Sequence, residues 1–209
     1  VFPFHRWAPD VYEAAPHQVV AFVGTVSKVA AIGVIARLMV LSWDHHESFT
    51  LVLIVLSILS MTAGNLTALV QKDLKRLLAW STVAHAGYVL VGLQAFTTTG
   101  TAAALFYGLV YVVMGLCAFL VVVVLSQGQQ RGPTLDSLAG LHQRSPALAL
   151  VLLVAMFGLA GIPPTPGFAG KWFLFTAALE AGGFWLVLVA AVNATISLYY
   201  YLLVVKAAW

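Results

Sequence analysis

The chain has 209 residues, 62% hydrophobic and 8% charged, with a mean hydropathy of +0.98. Soluble domains carry about a quarter charged residues, so a soluble enzyme is excluded and the composition is that of a multi-span membrane protein. The formal net charge of +3 is read as a topology signal in such a chain, and nucleic acid is excluded as a partner. One cysteine, Cys117, cannot build a disulfide framework, a zinc ribbon or a thiolate-ligated iron–sulfur cluster. The first residue is Val1, with neither an initiator methionine nor the pattern of a signal peptide, and the chain reads as part of something longer.

Residues 4–16 form a loop ahead of the first apolar run. A transmembrane helix needs about 20 mainly apolar residues to cross a core of roughly 30 Å. Six segments meet that requirement: 17–42, 49–71, 77–96, 102–126, 147–181 and 184–205. The fifth is too long for one straight helix and holds Pro163, Pro164, Pro166 and Gly167 in its middle. Proline there removes backbone donors and clashes with the preceding turn, so this segment is one broken crossing. With six crossings the loops alternate sides, and charge tests the count. Arg6, Lys72, Lys75, Arg76, Arg131, Arg144 and Lys206 fall on one side, and Asp44, His45, His46, Glu47 and Glu180 on the other, as the positive-inside rule requires. Two crossings in the fifth segment would move Lys206 to the acidic side. The loop 4–16 is therefore cytoplasmic or its equivalent. The fold class is all-α, a polytopic transmembrane helix bundle with one discontinuous helix.

Lys28 lies almost at the centre of the first span, where a lysine costs roughly 2.5–3.5 kcal/mol on insertion scales. Snorkelling reaches poorly from the midplane, so Lys28 is expected to face a water-filled cavity or a polar partner. An ion or proton path is the better reading, and a lysine paired with a carboxylate for packing is the alternative. Arg37, nearer the helix end, is a snorkelling anchor. His45 and His46 beside Asp44 and Glu47 read as a solvated turn, because a metal site would need a second supporting segment. Lys72, Asp73, Lys75 and Arg76 read as interfacial anchors.

His85 sits mid-span in LLAWSTVAHAGYVL, with Ser81 and Tyr88 on the same helical face. It is open between a proton relay and a hydrogen-bonded packing residue. Tyr107 and Tyr111 share one face of the fourth span, and Asn193, Ser197 and Tyr201 one face of the sixth; these read as interhelical glue or water ligands. Lys171 follows the break, in GIPPTPGFAGKW. Loose polar backbone at that depth is tolerated only beside protein or water, and transporters place ion sites at such breaks. A packing kink, with Lys171 capping the freed carbonyls, is the alternative. No glycine-rich nucleotide loop, nucleophile elbow or HExxH occurs, so neither cofactor nor metal is expected in this chain.

The segments FPFHRWAPDVYEAAP, VSKVAAIGVIAR, GNLTALVQKDLKRLLAWSTVAHAGYVLVGL, GLAGIPPTPGFAGKWFLF and SLYYYL, in this order and spacing, resemble the antiporter-like membrane subunits of the proton-translocating NADH-quinone oxidoreductase, respiratory complex I. The resemblance covers nearly the whole chain. The PDVYE loop, the SK of the first span and the lysine of GFAGK are similar to the N-type subunit, whereas the M-type usually has a glutamate where Lys171 stands. The resemblance implies a full subunit of about fourteen spans with two inverted five-helix repeats. This chain is similar to its eighth to thirteenth spans, the second repeat plus the preceding helix. The family's buried glutamate on the fifth span and lysine on the seventh have no counterpart here. Ala14 in EAAP and Pro166 in PPTPG are small departures that touch neither lysine.

By position, Lys28 resembles the family's central lysine of the eighth span, and Lys171 the terminal lysine beside the broken twelfth helix. The resemblance implies that Lys28, His85 with intervening waters, and Lys171 form a hydrophilic axis for protons, released on the acidic side. Quinone reduction elsewhere would drive it, with NAD, FMN, iron–sulfur clusters and quinone held by partner subunits. Other membrane-arm subunits, neighbouring antiporter-like subunits among them, and the lipid bilayer are the expected partners. An energy-transducing membrane, the bacterial inner membrane foremost, is the expected location. The alternatives are a cation/proton antiporter subunit of the related multisubunit type and a non-conducting structural subunit. Against the latter, a scaffold could use leucine at the midplane at no insertion cost.

Overall fold

In the computed structural model, which describes residues 1–41, 46–126 and 132–209, the chain is a bundle of long helices. In chain order they are α1 (Trp7–Ala14), α2 (His17–Leu41), α3 (His46–Ala68), α4 (Leu74–Leu93), α5 (Thr98–Leu125), a 3-10 turn (Asp136–Leu138), α6 (Leu141–Arg144), α7 (Pro146–Ala160), α8 (Pro166–Glu180) and α9 (Phe184–Ala208). Asp44, His45 and Arg131, named above for charge or metal binding, lie outside the described residues, as do the side chains of His46 and Glu47.

The outer faces are apolar: Phe22 and Val34 on α2, Leu109 on α5, Leu150 on α7 and Trp185 on α9 are all exposed. The chain is a multi-pass membrane protein, and these side chains meet lipid rather than water. Among the described residues four helices are long and apolar enough to cross a membrane: α2, α3 from Phe49, α5 and α9. The segment expected at 77–96 is α4, 20 residues or about 30 Å of helix, which is not in that group. Its position explains why. α4 packs against α1, α2, α3, α5, α8 and α9 and is buried along nearly its whole length, so it can carry Lys75, Thr82 and His85 without showing them to lipid.

Small residues permit that central position, because they let helix backbones approach closely in a bilayer. Ser57 of α3 donates to the Gly87 carbonyl at 2.8 Å, and a Cβ on Gly87 would stand 2.8 Å from the Met61 backbone nitrogen.

One end of the bundle gathers the basic residues. The Leu74 amide donates to the Pro133 carbonyl (3.0 Å) and the Leu135 amide to the Lys72 carbonyl (2.9 Å). The His142 ring stacks on Trp209, with centroids 5.5 Å apart. α7 therefore starts at the end where α9 finishes, so α7 and α8 together traverse the bundle once.

Lys75 corrects the reading of 72–76 as interfacial anchors. Asp73 caps α4 by accepting from the Arg76 amide at 3.0 Å, and Arg76 pairs with Glu13, but Lys75 is fully buried. Its Nζ donates to the carbonyls of Glu13 (3.0 Å) and Ala15 (3.1 Å), where α1 has run out of helical amides. Lys75→Met keeps the aliphatic stem and leaves those carbonyls orphaned, at about 1–3 kcal/mol. The expected result is faster amide hydrogen exchange and easier proteolytic nicking across residues 1–16, with the long helices unchanged.

Candidate functional site

The break in the fifth crossing follows from its backbone chemistry. α7 ends at Ala160, and Gly161 takes the left-handed conformation at φ 81°, which costs glycine nothing. Pro163, Pro164 and Pro166 bring no amide hydrogen, Thr165 Oγ1 turns back to the Ile162 carbonyl at 2.7 Å, and Pro166 opens α8 in the first-turn position that suits proline. Carbonyls at the end of α7 are thereby left without helical partners. Lys171, one turn into α8 and buried, supplies them: its Nζ donates to Ala160 O at 2.7 Å and Leu159 O at 3.4 Å. The same Nζ lies 4.9 Å from the centre of the Tyr88 ring. Lys171 also lines a cavity of about 180 Å³ with Gly161, Trp172 and Ala194.

His85 stands at the centre of α4 with both ring nitrogens engaged. Nδ1 is 2.6 Å from Tyr107 Oη on α5, and Nε2 is 2.9 Å from Tyr201 Oη on α9. A neutral imidazole has one donor and one acceptor nitrogen, so one phenol donates to the ring while the other accepts from it. Exchanging the tautomer reverses both bonds without moving the ring, which is what passing a proton across it requires. Tyr107 and Tyr201 were expected to join helices or to hold water; they are the direct partners of the histidine. Tyr111 does join helices, donating to the Gly24 carbonyl of α2 at 3.0 Å and lying 2.8 Å from Thr82 Oγ1. Ser81 turns its hydroxyl to the Leu78 carbonyl at 3.1 Å.

Tyr88 connects the two groups. Its ring centroid is 6.0 Å from that of His85, its face carries the Lys171 ammonium, and its hydroxyl lies 3.3 Å from Asn65 Nδ2. Asn65 also donates to Asn193 Oδ1 at 3.1 Å and accepts from Tyr200 Oη at 3.0 Å. It ties α3 to α4 and α9 at a depth where unpaired amides are costly. Asn65 was not singled out from the sequence; the signal available was an amide inside an otherwise apolar span.

Lys28, on α2, lines a cavity that it shares with His85. Its Nζ is 5.0 Å from the centre of the Trp7 ring of α1, and no carboxylate pairs with it among the described residues. The cavity, of about 190 Å³, is also lined by Thr82, Tyr107 and Tyr111. It is large enough for several waters, and the hydroxyls on its wall keep spare lone pairs to accept from them. The structure thus brings Lys28, His85 and Lys171 into one file across α2, α4 and α8. Arg37 is exposed on α2, outside the file. Among the described residues no three His, Cys, Asp or Glu side chains are grouped to hold a metal ion.

Residues 1–197 match the family described as NADH:quinone oxidoreductase/Mrp antiporter, TM. A relative named NADH-quinone oxidoreductase subunit N 2, from Syntrophobacter fumaroxidans, is 56% identical over 100% of this chain and 44% of its own length. The chain therefore spans less than half the length of this curated relative. Among solved structures, respiratory complex I from Thermus thermophilus with bound Aureothin superposes with a TM-score of 0.86 at 39% identity, covering 100% of this chain and 45% of that one. The Mrp complex from Dietzia sp. DQ12-45-1b gives a TM-score of 0.90 at 29% identity, covering 98% and 38%.

Proposed function

Because the chain belongs to the NADH:quinone oxidoreductase/Mrp antiporter transmembrane family, we propose that it carries the second proton-conducting half of an N-type subunit of NADH-quinone oxidoreductase. In this reading its helices are the second five-helix inverted repeat plus the helix before it, α2. Protons move through Lys28, the water of the adjoining cavity, His85 with its two tyrosines, and Lys171 at the break, and leave on the acidic side. The observation that carries the reading is the file itself: Lys28 on a cavity wall and Lys171 buried at the break, neither paired with a carboxylate among the described residues, and a histidine bonded at both nitrogens on the same helix that borders them.

Each charge moved works against about 2.3 kcal/mol per 100 mV, and nothing in this chain extracts energy from a substrate. The drive comes from quinone reduction in partner subunits that hold NAD, FMN, iron–sulfur clusters and quinone. The membrane is an energy-transducing one, the bacterial inner membrane foremost. The second reading, a cation/proton antiporter subunit, is favoured by one observation, the TM-score of 0.90 to the Mrp complex. The identity of 56% to a subunit N weighs for the first. Sodium-dependent proton exchange without donor oxidation would reverse that choice.

The test uses the full-length subunit in its assembled complex in sealed vesicles, with donor-driven proton uptake measured per electron. Lys171→Ala removes both the titrating amine and the cap on Ala160, so Lys171→Arg is the sharper variant. A guanidinium keeps donors for the carbonyls but does not deprotonate. The expected result is native assembly and electron flow with fewer protons taken up per electron in both variants. A parent-like ratio in Lys171→Arg would leave Lys171 as a helix-end cap.

A further inference from the structure

His5 is a buried titratable group that the proton file above does not use. It precedes α1, is 7% exposed, and lines the same cavity as Lys28, Thr82 and His85. Its ring stacks on Phe2 with centroids 5.3 Å apart and meets the edge of Trp80 at 5.4 Å. Its Nδ1 is buried with no hydrogen-bond partner among the described residues. A buried polar atom beside a cavity of this size calls for water. Burial holds the imidazole below its ordinary pKa, against the opposing pull of the Pro3 carbonyl, which favours the neutral ring, and a neutral ring keeps one nitrogen lone pair free to take a proton.

Its position along the bundle is also informative. Trp80 lies five residues before His85 on α4, about 7.5 Å of helix rise toward the end that gathers Lys72, Lys75 and Arg76. The segment carrying His5 is held there from both sides: the Ala8 amide donates to the His5 carbonyl at 3.1 Å, and Lys75 grips the far end of α1. A side chain needed only to fill space between Phe2 and Trp80 would be apolar, since a ring nitrogen orphaned in the interior costs about 1–3 kcal/mol.

We infer that His5 is a proton-carrying residue of the Lys28 cavity, the first station between the basic end of the bundle and Lys28. Nδ1 takes a proton from water on the basic side. The imidazolium N–H then breaks, and the proton passes through cavity water to the neutral Lys28 amine, which becomes ammonium; one positive charge moves and no electron does. The inference rests on the proposed proton route, and its test is arranged so that the two fail differently.

In the assembled complex in sealed vesicles, protons taken up per electron are compared for the parent, Lys171→Arg, His5→Gln and His5→Glu, with native gels for assembly. Gln is polar but carries no proton, and Glu is its near-isostere that can. The expected result is that His5→Gln shows the same shortfall as Lys171→Arg while His5→Glu regains part of it. If Lys171→Arg is impaired but His5→Gln matches the parent, or His5→Glu is no better than His5→Gln, His5 is a packing residue and the lysine route stands. Parent-like ratios in all variants overturn the route itself. Should His5→Gln not assemble, His5→Asn, whose amide nitrogen lies near the Nδ1 position, replaces it with the same outcomes.

Discussion

Gly167→Ala is expected to prevent the two halves of the broken crossing from docking, and with them the assembly of the membrane bundle. Gly167 is the second residue of α8, where α8 lies directly on α7, and a methyl group there would overlap the Gly158 carbonyl oxygen. The obstacle is backbone on both sides. Gly158 is itself inside α7 and backed by Met114 of α5, so α7 cannot retreat without opening its contact with α5. Overpacking a side chain against flexible side chains costs typically about 1–3 kcal/mol, and this site sits at or above the top of that range. The movement that would relieve it also carries Lys171 away from the Leu159 and Ala160 carbonyls. The measurement is the yield and thermal unfolding of the full-length protein extracted in mild detergent. Gly182→Ala provides a contrast: nothing lies within 4 Å of the position, and the positive φ of 80° costs about 1 kcal/mol. Gly167→Ala recovered at parent yield and midpoint would show that α7 and α8 do not pack as closely as described.

His85→Gln and His85→Leu are expected to separate the structural from the proton-carrying part of the histidine. Leucine leaves the Tyr107 and Tyr201 hydroxyls facing each other across an apolar side chain at full burial, each orphaned group costing about 1–3 kcal/mol. A lower unfolding temperature in detergent is the expected readout. Glutamine offers one acceptor oxygen and a donor amide, enough to satisfy both phenols, but an amide does not exchange tautomers as imidazole does. His85→Gln should therefore assemble and unfold like the parent while taking up fewer protons per electron. Parent-like uptake in His85→Gln would reduce His85 to interhelical packing. An unfolding loss as large as that of His85→Leu would mean that ring shape, and not hydrogen bonding, holds α4 to α5 and α9.

The two experiments concern different properties of the broken crossing and its surroundings. Close backbone contact between α7 and α8 creates the carbonyl end that Lys171 serves, and Tyr88 carries that ammonium on its face while its ring borders His85. A lysine that both caps a helix end and faces a file of polar groups has its alternatives set by geometry: deprotonation would weaken the hydrogen bond to the Ala160 carbonyl. On the proposed route, movement of a proton through Lys171 would be tied to the packing of the break, which is why Lys171→Arg and Gly167→Ala report on separate links of one chain of cause.

Local chemistry was enough to read much of this protein from its residues. Apolar run length and the proline cluster at 163–166 give a bundle with one broken helix, because crossing a bilayer sets a minimum length and proline disrupts the interior of a helix. Midplane cost marks Lys28, and the neighbouring helix break marks Lys171. Burial by neighbours, in contrast, is not written along the chain. Lys75 reads as an anchor among other basic residues, yet it is buried because α1 folds back over the start of α4. The segment at 77–96 reads like any other span, yet α4 can hold its polar residues only because six elements surround it. Tyr107, Tyr201, Asn65 and His5 lie on separate segments, and their chemistry becomes specific only where α3, α4, α5, α9 and the residues before α1 meet. Sequence alone determined where helices run and which buried charges demand an explanation, since both depend on residues near in the chain. Tertiary structure decided which polar atoms pair, since a hydrogen bond needs partners within about 3 Å that here are as many as 135 residues apart.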